Sequence, residues 1–294
     1  MDVFQYNKTL MNTFTKKDVA DYYDQTINHY QNWWKLNEIL AIHSGLWYDD
    51  TKSFSEALIN VNKKMAEVSG IKSNYNVLDA GCGVGGAAFY LANNFGCKVT
   101  GITLSKRQLK VANDELQKSS LNSLVKFEIQ DFTKTNFKDN SFDIVWACES
   151  VCHANPKKAF IQEAYRILKP GGKLILCDYF LTHDGETDEK SYIKNWGNRW
   201  AVTEFIAHRT FPNDLIENGF EVIENLDITE NIFRSAKRLY YSYVFGLIPS
   251  ILYNLLYKSS RFSRTHYQSG NYQYKALKKG LWEYRIFLAK KVGL

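Results

Sequence analysis

The sequence predicts an α/β protein: a doubly wound, mostly parallel, seven-stranded sheet, preceded by helices and interrupted late by a helical cap insertion. Three observations predict it. Short apolar runs alternate with stretches of helical periodicity through the middle of the chain. The first run ends in a carboxylate and a glycine-rich turn that opens a helix, Asp79-Ala80-Gly81-Cys82-Gly83-Val84-Gly85-Gly86. A stop-and-turn signal, Lys169-Pro170-Gly171-Gly172, separates a later helix from the next run. Strand–helix alternation at this spacing means parallel strands with helices on both faces. Right-handed crossovers make the sheet doubly wound, and ligands then bind outside the carboxyl ends of its strands.

Taken in order, residues 16–40 and 53–69 read as helices, with 41–47 a loop between them. The first strand is 75–80, followed by a helix over 85–94. The second strand is 97–102, and Ser105 caps a helix that runs to residue 118. Strands over 124–130 and 142–147, a helix over 156–168 and a strand over 173–179 continue the alternation. Residues 220–227 and 284–290 read as closing strands. The stretch between them, 229–281, is too long for a loop and reads as a helical cap. The expected organisation is therefore an N-terminal helical lid segment (1–70), a core (71–228), a cap insertion (229–281) and a closing strand (282–294).

Composition narrows the function classes. Of 294 residues, 45% are hydrophobic and 23% charged, the proportions of a globular protein. Aromatics reach 15%, which either fills core volume or lines a pocket. The net charge of +6 is scattered apart from a mild C-terminal concentration, without the dense stripe of a nucleic-acid binder, so no nucleic-acid partner is expected. A weak attraction to anionic membranes stays compatible with it. Cys82, Cys97, Cys148, Cys152 and Cys177 form an odd set without a CxxC pair. They read as small buried residues of a reducing compartment, with neither disulfides nor a metal site expected. Residues 1–8 lack the apolar stretch of a signal peptide, and no segment reads as a bilayer span. The expected location is cytoplasmic, with peripheral membrane contact left open.

The glycine turn carries the chemistry. Its glycines allow close backbone approach to a ligand. Asp79 stands just before the first of them, where a carboxylate repels phosphate but suits a ligand with an ammonium group. S-adenosylmethionine is such a ligand. The segment resembles the first motif of class I S-adenosylmethionine-dependent methyltransferases, D/E-x-G-x-G-x-G. The resemblance implies a Rossmann-like fold, with Asp79, Gly81, Cys82, Gly83 and Gly85 at the cofactor. Gly101-Ile102-Thr103-Leu104-Ser105 departs from the family's acidic ribose ligand. With Gln108, it resembles instead the subgroup of sterol C-methyltransferases, tocopherol methyltransferases and cyclopropane fatty-acid synthases. Thr103, Leu104 and Gln108 are then expected at the ribose, where a hydroxyl, backbone groups and an amide suffice. Gln130, Asp131 and Phe132 are expected at the adenine, although Asp131 also suits an Asx-turn before Thr133. Ala147 and Tyr22 complete the expected cofactor set.

Glu149-Ser150-Val151-Cys152-His153 resembles the E-A-x-x-H-A or E-S-x-x-H stretch of the same subgroup, and the resemblance covers roughly residues 20–180. It implies Glu149 and His153 as the catalytic pair. Glu149 would bind a polar head or steady positive charge, and His153 would bind substrate or take a proton. A solvated or capping Glu149 and a structural His153 are the plain alternatives. Aromatic clusters at Tyr22, Tyr23, Tyr30, Trp33, Trp34, at Trp196, Trp200, Phe205 and at Tyr240, Tyr241, Tyr243 fall outside the core sheet. Each alone suits helix packing; together they suggest a pocket. Residues 240–257 carry no charge, contain Pro249, which should break or kink a helix, and precede Lys258, Arg261 and Arg264. They read as a greasy lid, a membrane or dimer contact, or buried cap. The expected activity is methyl transfer to a small, apolar acceptor (terpenoid, sterol-like or prenylated), by C-methylation. N- or O-methylation of a polar natural product is the alternative.

Overall fold

The computed structural model describes residues 13–183 and 188–293. Seven strands form one sheet: β1 (Asn76–Ala80), β2 (Lys98–Thr103), β3 (Val125–Ile129), β4 (Phe142–Cys148), β5 (Leu168–Leu181), β6 (Phe220–Asp227) and β7 (Trp282–Lys291). Their order is β3-β2-β1-β4-β5-β7-β6. The first five in that order are mutually parallel, and β7 runs antiparallel to both its neighbours. This is the Rossmann-like doubly wound sheet that the alternation predicts. The central strands are apolar without a break because both faces are covered. Val77, Ile144 and Trp146 point into one core layer, and Leu78, Val145 and Ala147 into the other.

The helices are α1 (Lys16–Trp33), α2 (Leu36–Ile39), α3 (Phe54–Ser69), α4 (Gly86–Phe95), α5 (Lys106–Gln117), α6 (Lys157–Ile167), α7 (Tyr192–Trp200), α8 (Phe211–Glu217), α9 (Thr229–Leu256), α10 (Ser263–His266) and α11 (Ser269–Lys278). Thr15 and Asp18 close a capping box on α1, and Ser53 and Ser105 cap α3 and α5. The helix read over 16–40 is broken: Lys35 and Leu40 both take left-handed backbone. The break brings the chain down onto the glycine turn. A Cβ on Gly86 would lie 2.3 Å from the Leu40 carbonyl oxygen. The loop that follows is pinned rather than loose: the Trp34 indole N–H donates to the His43 carbonyl at 2.8 Å, and Leu46 N–H to Ala57 O at 2.8 Å.

Three further differences have physical reasons. Lys169-Pro170-Gly171-Gly172 does not precede β5 but bulges within it: Phe142 pairs with Leu168 and Ile144 with Lys173. α7 and α8 fall where no helix was read, and Trp196, Phe205 and Phe211 anchor that stretch in the core. α9 runs unbroken through Pro249. The proline costs one backbone hydrogen bond, and on an exposed helix water can serve the freed carbonyl.

Residues 240–257 therefore are not buried cap. Among the described residues, α9 is long and apolar enough to cross a membrane by length and composition, although the sequence reading excluded a span. Phe245 and Ile248 are each 69% exposed, Leu255 77% and Leu256 75%. The first turns of α9 behave differently: Ile232, Ser235 and Ala236 are buried against the loop before α3 and the sheet.

Candidate active site

The carboxyl ends of β1, β2 and β4 open into a cleft of ≈ 970 Å³, open solvent at its mouth included, roofed by α1 and the 40–43 loop. Asp79 sits at the end of β1, 2% exposed, with its Oδ2 atom lacking any hydrogen-bond partner among the described residues. Burial pushes its carboxyl up to about 7. An unpartnered buried carboxylate of this kind suits a cationic ligand group. Gly81 has φ +91°, and a Cβ there would come within 2.5 Å of Ser150 Cβ. The turn is thus open to a ligand only as glycine.

At the end of β2, the Thr103 hydroxyl accepts from Ser105 N–H at 3.1 Å and donates to Gln108 Oε1 at 2.8 Å. This fixes which end of the Gln108 amide is bound. Tyr22, Asp79, Gly81, Cys82, Gly83, Thr103, Leu104, Gln108, Phe132, Glu149 and His153 all line the cavity. Gly85, Gln130, Asp131 and Ala147 do not. Gly85 serves packing, since a Cβ there would lie 2.5 Å from Phe127. Asp131 holds the Thr133 N–H at 2.9 Å and hydroxyl at 2.8 Å, the Asx-turn arrangement, and pairs with Lys16. Gln130 bridges Glu128 and Asn136. Ala147 lies buried within β4.

Glu149 leaves β4 with φ +47°, a strained conformation for a non-glycine residue, worth about 1–3 kcal/mol. Its Oε1 accepts from Ser44 N–H at 2.6 Å and from the Tyr284 hydroxyl at 2.7 Å. Burial raises its pKa, and these donors oppose the rise. His153 ends a 3₁₀ turn and is half-buried; its desolvation lowers the imidazole to about 4 and keeps it neutral. Its Nε2 meets the Tyr23 hydroxyl at 2.9 Å, and its Nδ1 the Ala201 carbonyl at 3.4 Å.

A deeper cavity of ≈ 320 Å³ shares Tyr30, Ile42, Glu149 and Trp200 with the first. Trp34, Ser44, Tyr179, Ser235, Leu239, His266 and Gln273 complete its wall. Of these, the sequence marks only Trp34, within its first aromatic cluster. The other six come from five separate segments, and no local pattern marks them. Of the three aromatic clusters, Tyr22, Tyr23, Tyr30, Trp34 and Trp200 reach the cavities. Trp196 and Phe205 instead stack in the core at 4.5 Å, and Trp33 faces outward. Tyr240, Tyr241 and Tyr243 line neither cavity.

A buried carboxylate awaiting a cation, beside a turn that excludes side chains at the strand ends, is what S-adenosylmethionine requires. Comparison with known proteins agrees. A family model described as a methyltransferase domain matches residues 78–176. The O-methyltransferase cnsE of Penicillium expansum is 30% identical over 229 residues, covering 76% of this chain and 79% of that protein. A sterol 24-C-methyltransferase of Kluyveromyces lactis is 29% identical over 215 residues, 71% of this chain and 56% of that one. The structure of the cyclopropane synthase MmaA2 from Mycobacterium tuberculosis superposes with a TM-score of 0.80 at 16% identity, covering 95% of this chain and 99% of that chain. The chain belongs to the class I S-adenosylmethionine-dependent methyltransferases. Its resemblance to the sterol methyltransferase and cyclopropane synthase subgroup holds.

Proposed function

We propose that this methyltransferase acts at carbon on a small apolar acceptor of terpenoid, sterol-like or prenylated type. The observation that carries the reading is the aromatic wall of the first cavity. Tyr22, Tyr23, Tyr30, Phe132 and Trp200 line it together with Glu149, and Tyr30, Trp200 and Glu149 also line the second. Aromatic faces and a single carboxylate steady the cation that forms when an alkene or electron-rich ring is methylated. The sterol-methylating relative supports the same acceptor class.

In this reading, S-adenosylmethionine supplies the activated methyl group, and the chain binds, orients and excludes water. Asp79 and the turn through Gly81, Cys82, Gly83 and Gly85 hold its amino-acid end. Thr103, Leu104 and Gln108 hold the ribose, and Gln130, Asp131 and Phe132 the adenine. Tyr22 closes the rest of the site, and Ala147, buried in β4, supports it from behind. Asp131 must then release Lys16 or share itself between turn and ligand. Glu149 steadies charge, and neutral His153 accepts from Tyr23 to hold the acceptor side closed. Residues 71–228 and 282–294 carry cofactor and sheet, while 1–70 and 229–281 wall the acceptor.

Incubation with methyl-labelled S-adenosylmethionine and a panel of sterols, prenyl diphosphates, prenylated phenols and amines tests this. Label in a carbon–methyl product of an apolar acceptor is expected. Label on nitrogen or oxygen of polar acceptors alone would replace this reading with the second one. That second reading draws on Ser44, Gln273 and His266 in the deeper cavity, and on the O-methyltransferase relative.

The exposed end of α9 further suggests a cytoplasmic enzyme with peripheral membrane contact. Exposed apolar side chains cover most of its last turns, apart from the face of Ser250 and Asn254, whose amide donates to the Arg264 carbonyl at 3.0 Å; residues 240 to 257 are uncharged and Lys258 follows directly. Insertion at an anionic lipid interface covers such a surface and meets the lysine at its rim. The full chain should float with phosphatidylglycerol vesicles; a concentration-dependent dimer that ignores vesicles would assign this surface to self-association.

A further inference from the structure

A row of hydrogen-bonded side chains leads from the cavities to the surface. Tyr30 and Tyr22 on α1 face the cavities, with their hydroxyls 2.7 Å apart. The Tyr22 hydroxyl meets His266 Nε2 at 3.1 Å, and His266 Nδ1 meets His29 Nδ1 at 3.0 Å. His29 Nε2 lies 3.4 Å from Ser263 Oγ. Tyr22 and His266 are buried, while His29 is half-buried on the outer side of α1.

The contact between two Nδ1 atoms restricts the protons. One ring must carry hydrogen on Nδ1 and the other must not. With that hydrogen on His266, every bond points outward: Tyr30 donates to Tyr22, Tyr22 to His266 Nε2, His266 Nδ1 to His29, and His29 Nε2 to Ser263 or solvent. The Tyr30 oxygen is then left as an acceptor facing the cavity. With the hydrogen on His29, every bond reverses. The row thus has two complete arrangements, and one proton passing along it converts the first into the second.

Methylation of an atom that bears hydrogen leaves a proton to dispose of. The acceptor's electron pair forms the new bond to carbon, and the sulfur–carbon pair stays on sulfur. The pair of the lost X–H bond returns to the acceptor, and one proton departs. His153 cannot carry it away, since its second nitrogen faces the Ala201 carbonyl. Glu149 is held in place at Oε1 by Ser44 and Tyr284, on the side away from α1. We propose that the row Tyr30–Tyr22–His266–His29 is the exit path for the proton released by methyl transfer. Tyr30 receives the proton and the two histidines act as positioning residues for its removal. Burial lowers both imidazoles and raises both phenols, so that no member rests charged. The proposal rests on the reading given above, methylation at carbon, in which the cation formed loses a proton from the methylated or an adjacent carbon.

The test has two arms. In protein labelled with 15N-histidine and bound to S-adenosylhomocysteine, His266 should be neutral with substantial Nδ1–H character. In H29F, exchange of its ring N–H with water should slow about tenfold or more. Fixed Nε2–H character and identical exchange in both proteins would overturn the row. In rapid-quench turnover of the acceptor found by the labelled panel, H29F should slow methyl transfer about tenfold. Cofactor Kd and acceptor KM should hold, and added imidazole should restore part of the rate. An unchanged rate, or a loss that imidazole does not touch and that tracks a fall in Tm, would overturn the exit role. A panel that yields no product would count against the acceptor reading, and the first arm would still decide the row.

Discussion

At the scale of single residues, Asp79 links cofactor binding to pH. Its carboxyl is held at about 7 by burial, against an ordinary value near 3.9. Because the folded state binds this proton more tightly, the contribution to stability is fully present below the ordinary value. It is lost as pH rises to about 7. D79N should therefore raise the Tm of the cofactor-free protein at pH 8. The same variant should weaken S-adenosylmethionine binding about tenfold or more, the scale of a charge-assisted bond of about 1.5–3 kcal/mol. Calorimetry from pH 6 to 8 should show affinity rising in the wild type and flat in D79N. E149Q preserves the Ser44 bond while removing charge, so turnover should fall by more than cofactor affinity does. Equal turnover at saturating acceptor would leave Glu149 structural. The motif residues Asp79, Gly81 and Thr103 were legible because a short turn confines their chemistry to neighbours in sequence. Ser44, Tyr284 and His266 were not, because only the folded chain brings them to Glu149 and Tyr22.

At the scale of elements, the break between α1 and α2 couples the roof of the cavity to the glycine turn. G86A should push Leu40 away, costing about 1–3 kcal/mol as overpacking and weakening cofactor binding with it. A thermal shift without that change, or tight binding in the variant, would deny the coupling. The periodicity of 16–40 did not disclose the break, since Lys35 and Leu40 are ordinary helix formers held left-handed by tertiary contacts. α9 presents the opposite case, a local rule overridden by exposure. Because Phe245 and Leu252 line neither cavity, F245D with L252D should fold, bind cofactor and lose vesicle binding. Each large apolar side chain that inserts contributes about 1.5–3 kcal/mol. Co-sedimentation unchanged by both substitutions would rule out this end of the helix as the lipid contact.

At the scale of the whole molecule, the parallel run of strands follows from sequence where strands are buried on both faces and helices of ordinary length separate them. β1, β2, β4 and β5 are buried in this way; β3 is an edge strand that exposes Lys126 and Ile129, and no helix separates it from β4. The insertion of β7 between β5 and β6 had no such signature, because an antiparallel partner distant in sequence leaves no period behind. That insertion sets an order of assembly. β6 has no neighbour other than β7 in the sheet, and β7 also delivers Tyr284, which holds Glu149. During synthesis, five parallel strands and the cofactor turn emerge first. They wait with β5 as an open edge while the 229–281 segment is made. A ribosome-bound chain should therefore turn over acceptor only after residue 291 clears the exit tunnel, whereas the cofactor turn is complete earlier. The half-made protein is a sheet with an unguarded border, and the strand that seals the border also sets the carboxylate. Unfinished copies are thus kept from turning over acceptor by the same event that moves the open edge from β5 out to β6.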